Sequence, residues 1–388
     1  MIDAQSRLRV VVLGYVVRGP LGGMAWLPLQ YVRGLADLGH EVLFIEDSDD
    51  FPSCYDPSQD ATGQDPTYGL AFAARAFGRL GLAKHWAYHD AHTERWHGSE
   101  SAGVLEFCRS ADMVINVSGN SPLRPWLRAI PFRVLIDTDP VFTQIRHIQD
   151  PFARRRGSHH NVFFSFAENI IDGGVPNDGF LWRTTRPPIV LDAWPVIRTP
   201  PDAPFTTVML WDSYAEARHD GKRYGMKSRS FPAYLRIPER TRAKLELALG
   251  SPGAPRDALR CRGWILRDPL EVTRDPWTYQ KYIQGSLAEF SIAKEGYVIS
   301  RSGWFSERTA CYLASGRPAV VQDTGLARHF PLGRGLCTFS SFDEALTGIE
   351  AILADPVGHA RAARDIASEF FDAKRVLRRL LAEISSTC

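Results

Sequence analysis

The sequence lacks any uncharged apolar run of 18 residues, and a membrane-crossing helix needs about 20. No spanning helix is expected. Its opening residues do not run through a basic segment, an apolar helix and a small-residue cleavage site, so no secretory leader is expected and a cytoplasmic chain is. Cysteine is sparse: Cys54, Cys108, Cys261, Cys311, Cys337 and Cys388 show neither paired ligand spacing nor a disulfide framework. Reduced thiols are expected. An excess of one charge is also missing, because 46 Lys plus Arg face 44 Asp plus Glu, leaving +2 with no long run of either sign. That argues against the basic face of a nucleic-acid binder, and no nucleic-acid partner is expected. Gly-x-Ser-x-Gly is absent, which disfavours a serine hydrolase. Compact Gly-x-Gly-x-x-Gly spacing is absent after the first strand, which disfavours a nicotinamide dehydrogenase. What is present is 388 residues, 44% hydrophobic and 23% charged. That is a globular composition, and the length suits two domains.

Residues 8–15 form a β-branched, nearly continuous apolar run, as a strand buried on both faces should. Gly19, Gly22 and Gly23 follow, then a helical pattern over 26–38, Gly39 as its stop and a strand over 41–46. Strand, glycine turn, helix, strand predicts a βαβ unit in a parallel sheet. Further strands are expected over 113–117, 133–136 and 163–166. The first two run into Ser118-Gly119-Asn120 and Asp137-Thr138-Asp139-Pro140, positions that face the cleft in open α/β sheets. The proline-dense stretch 186–204 reads as an interdomain connection. A second α/β unit follows, with strands expected over 206–211, 262–266, 297–299 and 318–322. Its helices are expected over 240–249, 277–288 and 307–314, and a long Arg-rich amphipathic helix over 359–384 closes the chain. The expected fold is α/β, two Rossmann-like halves facing a central cleft.

The most informative window is 300–325. Ser300-Arg301-Ser302-Gly303-Trp304-Phe305-Ser306 is a small-residue turn leading into a helix with Ser306 as N-cap and Glu307 in the first turn. Amides at such a terminus suit a phosphate. Gly316 and Pro318 end the helix, and the next strand delivers Asp323-Thr324-Gly325 to the same sheet edge. The two polar turns are expected to make one pocket. Glu307 could take a ribose diol there, or serve only as a first-turn acid favoured by the helix dipole. Asp137 and Asp139 are candidate catalytic bases, or caps of a helix starting at Pro140, with His159 and His160 as alternatives. His85, His89, His92 and His97 with Asp90 and Glu94 have spacing that could hold zinc. The interleaved Trp86, Tyr88 and Trp96 read as packing instead, and no metal is expected.

The run Leu-Ala-Ser-Gly-Arg-Pro, a buried strand and Asp-Thr-Gly resembles the donor half of GT-B glycosyltransferases. The first strand, Gly22-Gly23 and Gly39-His40-Glu41-Val42 are similar to the acceptor half. The resemblance implies an acceptor-binding domain over 1–203, a nucleotide-sugar domain over 204–362 and a final segment, 363–388, that returns to the first domain. It implies a nucleoside-diphosphate sugar as co-substrate, with no metal and no permanently bound cofactor, and transfer of a hexose to a small-molecule or oligosaccharide acceptor. It further implies that Lys227, in a basic loop with Lys222 and Arg223, meets the diphosphate, as Arg301 or Lys294 could. Gly263-Trp264 would lie near the base; Arg301 to Glu307 and Asp323 to Gly325 would surround the donor. Gly22, Gly23, Ser118 and Asn120 would face the acceptor. The paired glutamates of the retaining glycogen- and sucrose-synthase type are absent, Gly303 and Cys311 standing in their places. An epimerase, a phosphorylase or a silent nucleotide-sugar binder on the same fold are the alternatives.

Overall fold

The computed structural model describes residues 6–200 and 202–386. Two parallel sheets carry the fold. The first runs Trp182–Thr184, Val162–Ser165, Phe132–Asp137, Met113–Val117, Arg9–Leu13, Glu41–Asp47, Trp86–Asp90, Arg95–His97, and only the last strand is antiparallel to its neighbour. The second runs Ile265–Arg267, Leu245–Gly250, Phe205–Leu210, Ala288–Ser291, Ala319–Gln322, Leu336–Phe339. In each sheet the chain starts near the middle and builds outward on both sides. A crevice therefore opens at the carboxyl ends where the order reverses.

Local chemistry accounts for the first unit. Val10, Val11, Val12 and Leu13 are buried on both faces. The Gly22–Asp37 helix lies over them, with Pro28 against Gly14, where a Cβ would stand 2.5 Å from the proline ring. Gly39, at φ +90°, stops that helix in a backbone conformation costly to other residues. The Arg-rich end of the chain is two helices, Pro356–Phe370 and Ala373–Ser385, broken at Phe371 and Asp372. The second buries Ala373, Leu377, Leu380, Leu381 and Ile384, mostly spaced three and four apart, in the core of the first half. Its arginines are left on the other face.

The two halves share a third apolar cluster, in which Trp26 of the first half meets Trp194, Tyr279 and Ile283. Trp26 Nε1 also donates to the Pro276 carbonyl at 2.7 Å. The chain crosses between the halves twice, at the stretch around Ile189 and again at Asp372. There the Ile189 N–H donates to Phe371 O (2.7 Å) and the Ala373 N–H to Ile189 O (2.8 Å).

Three expectations for the second half need correction. Residues 245–250 form a strand, not part of a helix: Leu-Glu-Leu-Ala-Leu-Gly has helical propensity, but all six residues are buried between parallel neighbours, and packing overrides propensity. The expected 277–288 helix ends at Gln284, and Ala288–Ser291 is a strand. Residues 297–299, read as a strand, belong to the Glu295–Ile299 helix.

The docking of the final helix is testable at Gly34, where a Cβ would stand 2.6 Å from Leu377 Cδ1 and 3.1 Å from Ala373 Cβ. Gly34→Leu is expected to destabilise by about 1–3 kcal/mol through overpacking. Gly78, also helical, has nothing within 4 Å of its would-be Cβ. Gly78→Ala should gain up to about 1 kcal/mol, its smaller unfolded-state entropy being the cause. Urea midpoints at equal slope would show both shifts.

Candidate functional site

A cavity of about 810 Å³ lies between the halves. The first half supplies Gly23, Met24, Tyr55 and Thr138, and the second Arg256, Tyr279, Trp304, Ser306, Glu307 and Arg308. Its shape depends on Gly22 at the start of the Gly22–Asp37 helix. A Cβ there would lie 2.3 Å from the Asp275 carbonyl oxygen, so only glycine lets the halves close to this distance.

Arg308 is the electrostatic centre. Its guanidinium bonds Glu289 Oε1 (2.7 Å), Ser291 Oγ (2.6 Å) and the Val208 carbonyl (2.8 Å), so it spans the crevice between the Phe205–Leu210 and Ala288–Ser291 strands. Burial opposes its charge, yet the Glu289 carboxylate holds it firmly protonated. Lys227 opens the short Lys227–Ser230 helix that follows the Lys222–Tyr224 strand of a hairpin. Lys222 and Arg223 are exposed, whereas Lys227 turns inward. Burial, then repulsion from Arg308 and Lys294, pulls its ammonium well below the ordinary lysine range. Three basic side chains thus converge with Glu289 and Asp139 as their acidic company.

Glu307 lines the cavity from the first turn of the Glu307–Ala314 helix. Gln30 Nε2 (3.1 Å) and Cys311 Sγ (3.2 Å) both donate to its Oε1. Burial raises the carboxyl to about 7, against the lowering effect of Cys311, Arg308 and Gln30. Ser306 precedes it as N-cap, but its hydroxyl caps nothing.

The turns at 300–306 and 323–325 do meet, and the pocket between them is small, about 20 Å³, lined by Trp304, Phe305, Ser306 and Thr324. The Gly303 N–H donates to Thr324 O (2.7 Å), Thr324 Oγ1 to Trp304 O (2.8 Å), and Asp323 Oδ1 accepts from the Gly325 and Leu326 amides (2.9 and 3.1 Å). Asn169 of the first half clamps the outside, donating from Nδ2 to Arg301 O (2.9 Å) and Gly325 O (3.0 Å). Ser302 and Phe305 are buried, and Arg301 is an exposed residue whose guanidinium stands 3.7 Å from Asp323. These residues form the seam between the halves, while Trp304, Ser306 and Glu307 reach the cavity. Trp264, which follows Gly263, is a core residue: it packs on Phe231 and Phe290, and its Nε1 donates to Leu235 O (2.8 Å). No face is left to stack on a base.

Neither Asp137 nor Asp139 lines the main cavity. Asp137 is enclosed, accepting from Thr143 (2.7 Å), Gln144 (3.1 Å), Ser165 (2.9 Å) and the Asp139 amide (2.9 Å). Asp139 reaches across the seam, accepting from Lys294 Nζ (2.8 Å), Tyr214 and Tyr297 of the other half. Burial and that carboxylate keep both phenols protonated. Ser118 Oγ pairs with Thr138 Oγ1 (2.8 Å), and the Asn120 carbonyl accepts from Arg18 (3.1 Å); Ser118 and Asn120 line a second cavity in the first half and not the main one. His85 and His89 lie on or beside the Trp86–Asp90 strand, so the helical spacing has no geometric meaning. Among the described residues no group of three or more His, Cys, Asp or Glu could hold a metal ion, and no helix is long and apolar enough to cross a membrane. Sequence reasoning missed Arg308 as a site cation. The available signal was Glu289, an acid inside an apolar run that only a buried cation makes tolerable.

Asp139→Asn is expected to cost roughly 3 kcal/mol, because it leaves the Lys294 ammonium buried without its counter-charge. A thermal or urea transition measures this. An Asp139 that acted only as a proton acceptor would lose activity with its transition unmoved.

No family model matches the chain, and no curated protein does. Solved structures do. An alpha-glucosyltransferase in complex with UDP is similar at TM-score 0.59 and 10% identity, over 97% of this chain and 100% of that one. Anabaena HepE with UDP and glucose is similar at TM-score 0.55 and 12% identity, over 98% and 100%. Sucrose-phosphate synthase from Thermosynechococcus elongatus is similar at TM-score 0.53 and 11% identity, over 98% and 100%. Two further alpha-glucosyltransferase structures, at TM-scores of 0.55 and 0.58, hold DNA. The exclusion of nucleic acid drawn from net charge is corrected by them, since proteins of this architecture engage DNA. At 10–12% identity the likeness carries the architecture alone, and that architecture is the GT-B glycosyltransferase fold.

Proposed function

We propose that the chain is a glycosyltransferase moving a hexose from a nucleoside-diphosphate donor to an acceptor hydroxyl. The observation that carries this reading is Arg308 on the wall of the interdomain cavity, with Lys227 and Lys294 near enough behind it to repel one another's charge. Three basic side chains share two carboxylates, Glu289 and Asp139, and an arriving diphosphate would supply the counter-charge that lets Lys227 hold its proton. In the transfer the bond from the sugar's anomeric carbon to the diphosphate oxygen breaks, and its electron pair leaves with the diphosphate. A bond to the acceptor oxygen forms as that hydroxyl gives up its proton. Preorganised cations that bind the departing charge more strongly than the intact donor lower the barrier. In this scheme protein cations meet the diphosphate without a metal ion. Glu307 is the proposed partner of the ribose hydroxyls, with Oε1 already held by Gln30 and Cys311.

UDP, GDP and TDP are the first ligands to test. A nucleotide at 100 times its Kd adds about 2.7 kcal/mol to stability, readily seen as a raised melting temperature. Lys227→Ala should weaken that nucleotide about 10–100-fold, the worth of a hydrogen bond to a charged group. It should leave the ligand-free protein as stable or more so, because a buried ammonium is removed. Unchanged affinity would take Lys227 out of the site. The acceptor panel should contain DNA beside sugars and oligosaccharides. Donor isomerisation or phosphate-dependent cleavage, with no acceptor product, would sink the transfer reading in favour of an epimerase or phosphorylase.

Glu307 adds a pH signature. Its carboxyl is raised from 4.5 to about 7 in the folded protein. The fold therefore binds that proton more tightly than the unfolded chain, and ionisation across this interval costs wild-type stability as pH rises. Glu307→Gln has no such cost, so its melting temperature should gain on wild type between about pH 5 and pH 8. Nucleotide affinity should move the opposite way: equal near pH 5, where both side chains are neutral, and weaker for the variant at pH 8. A stability difference flat in pH, or equal affinities at pH 8, would leave Glu307 without this role.

A further inference from the structure

A second cavity, of about 250 Å³, lies at the carboxyl ends of the Met113–Val117 and Phe132–Asp137 strands, and no lining residue is shared with the main one. The Ser118–Thr138 pair stands between them, Ser118 lining the second cavity and Thr138 the first. One wall carries a polar group with nothing to bond. Ser121 is 2% exposed and its Oγ has no hydrogen-bond partner among the described residues. Behind it Asn116, fully buried, donates from Nδ2 to the Ser121 carbonyl (2.9 Å) and leaves its own Oδ1 unpaired. A buried polar atom without a partner costs about 1–3 kcal/mol, so this wall is built to receive one.

The charges around the cavity decide what kind of ligand that is. Arg146 and Arg156 face Asp49, Asp137 and Asp150. Arg156 is already paired with Asp49 at 2.8 Å. Burial pushes Asp137 toward its protonated form, and His160 is held neutral by burial that lowers it to about 4. The balance is close to zero, which favours neither a phosphate nor a cation. Asp150 and the arginines can each bond adjacent hydroxyls. At the mouth Phe51 and Phe152 are 52% and 55% exposed, two apolar faces with no core to join. Planar polar groups on one side and aromatic faces at the rim fit the two surfaces of a sugar ring. The volume falls below the ~300 Å³ at which drug-sized pockets begin, and is right for one ring but not for a nucleotide.

We propose that this cavity is a subsite for a neutral hexose unit of the acceptor, separated from the donor cavity by the Ser118–Thr138 pair. The proposal rests on the transferase reading for its meaning but not for its test. Glucose and maltose are titrated against the full chain by saturation-transfer NMR, with UDP affinity measured in parallel. Ser121→Ala and Phe152→Ala should each weaken sugar binding about fivefold, or ~1 kcal/mol, and leave UDP affinity unchanged. Phe152 is exposed, so that variant should keep the wild-type fold. Sugar binding equal in wild type and both variants overturns the subsite, as does no sugar binding in wild type. Inorganic phosphate that displaces the sugar overturns it as well, by showing an anion site. Failure of UDP to bind would instead count against the transferase reading and leave the sugar titration interpretable.

Discussion

Glu289 has no exposed surface and sits in the middle of a six-stranded sheet, where an ionised carboxylate persists only beside a cation. Arg308 is that cation, and the pair ties together elements that would otherwise meet only through apolar packing. From one guanidinium, bonds reach the Ala288–Ser291 strand at two residues and the Phe205–Leu210 strand at Val208. The helix that carries Arg308 is thereby pinned over the point where the strand order reverses. Glu307 precedes Arg308 on that helix, so fixing one side chain aims the other at the cavity. Lys227 is placed in the same field, and its weakened hold on a proton follows from burial beside two cations. The proposed diphosphate site of the second half would thus depend on an acid in its core.

The seam between the halves obeys a different logic. Apolar contact through Trp26, Trp194 and Tyr279 supplies the area. Specific polar ties then set the register: Asp139 takes three donors from the opposite half, and Asn169 grips the two turns at 301 and 325. An apolar seam alone tolerates sliding. A carboxylate that must satisfy an ammonium and two phenols does not.

Period and punctuation made the first half readable. The β-branched run before Gly14, the Gly39 stop and the strands at Met113 and Phe132 follow from residue types that have one common use. The second half hid its topology. Leu245–Gly250 is spelled in helix formers, and its strand state comes only from neighbours on both sides. Ala288–Ser291 is four residues long and begins three residues after a helix, too short for a period to declare itself. With the expected helix run on to residue 288 and no strand assigned after it, Glu289 went unnoticed, and with it the reason Arg308 is where it is. Trp264 shows the opposite failure: an aromatic beside a glycine suggests a stacking platform, but whether its ring faces ligand or core is decided by residues such as Phe231 and Phe290. Glu307 was recognisable because a helix start preserves local order, which a sequence does display.

The two passages of the chain between the halves lie side by side, bonded through Ile189 to Phe371 and Ala373. A single crossing would allow rotation in every direction. Two fastened together behave as the pin of a door. Any opening of the cleft that keeps those bonds must swing about the line through Ile189 and Asp372. The motion is reduced to one angle, with the first half's final helix, begun at Ala373, carried on the door rather than on the frame.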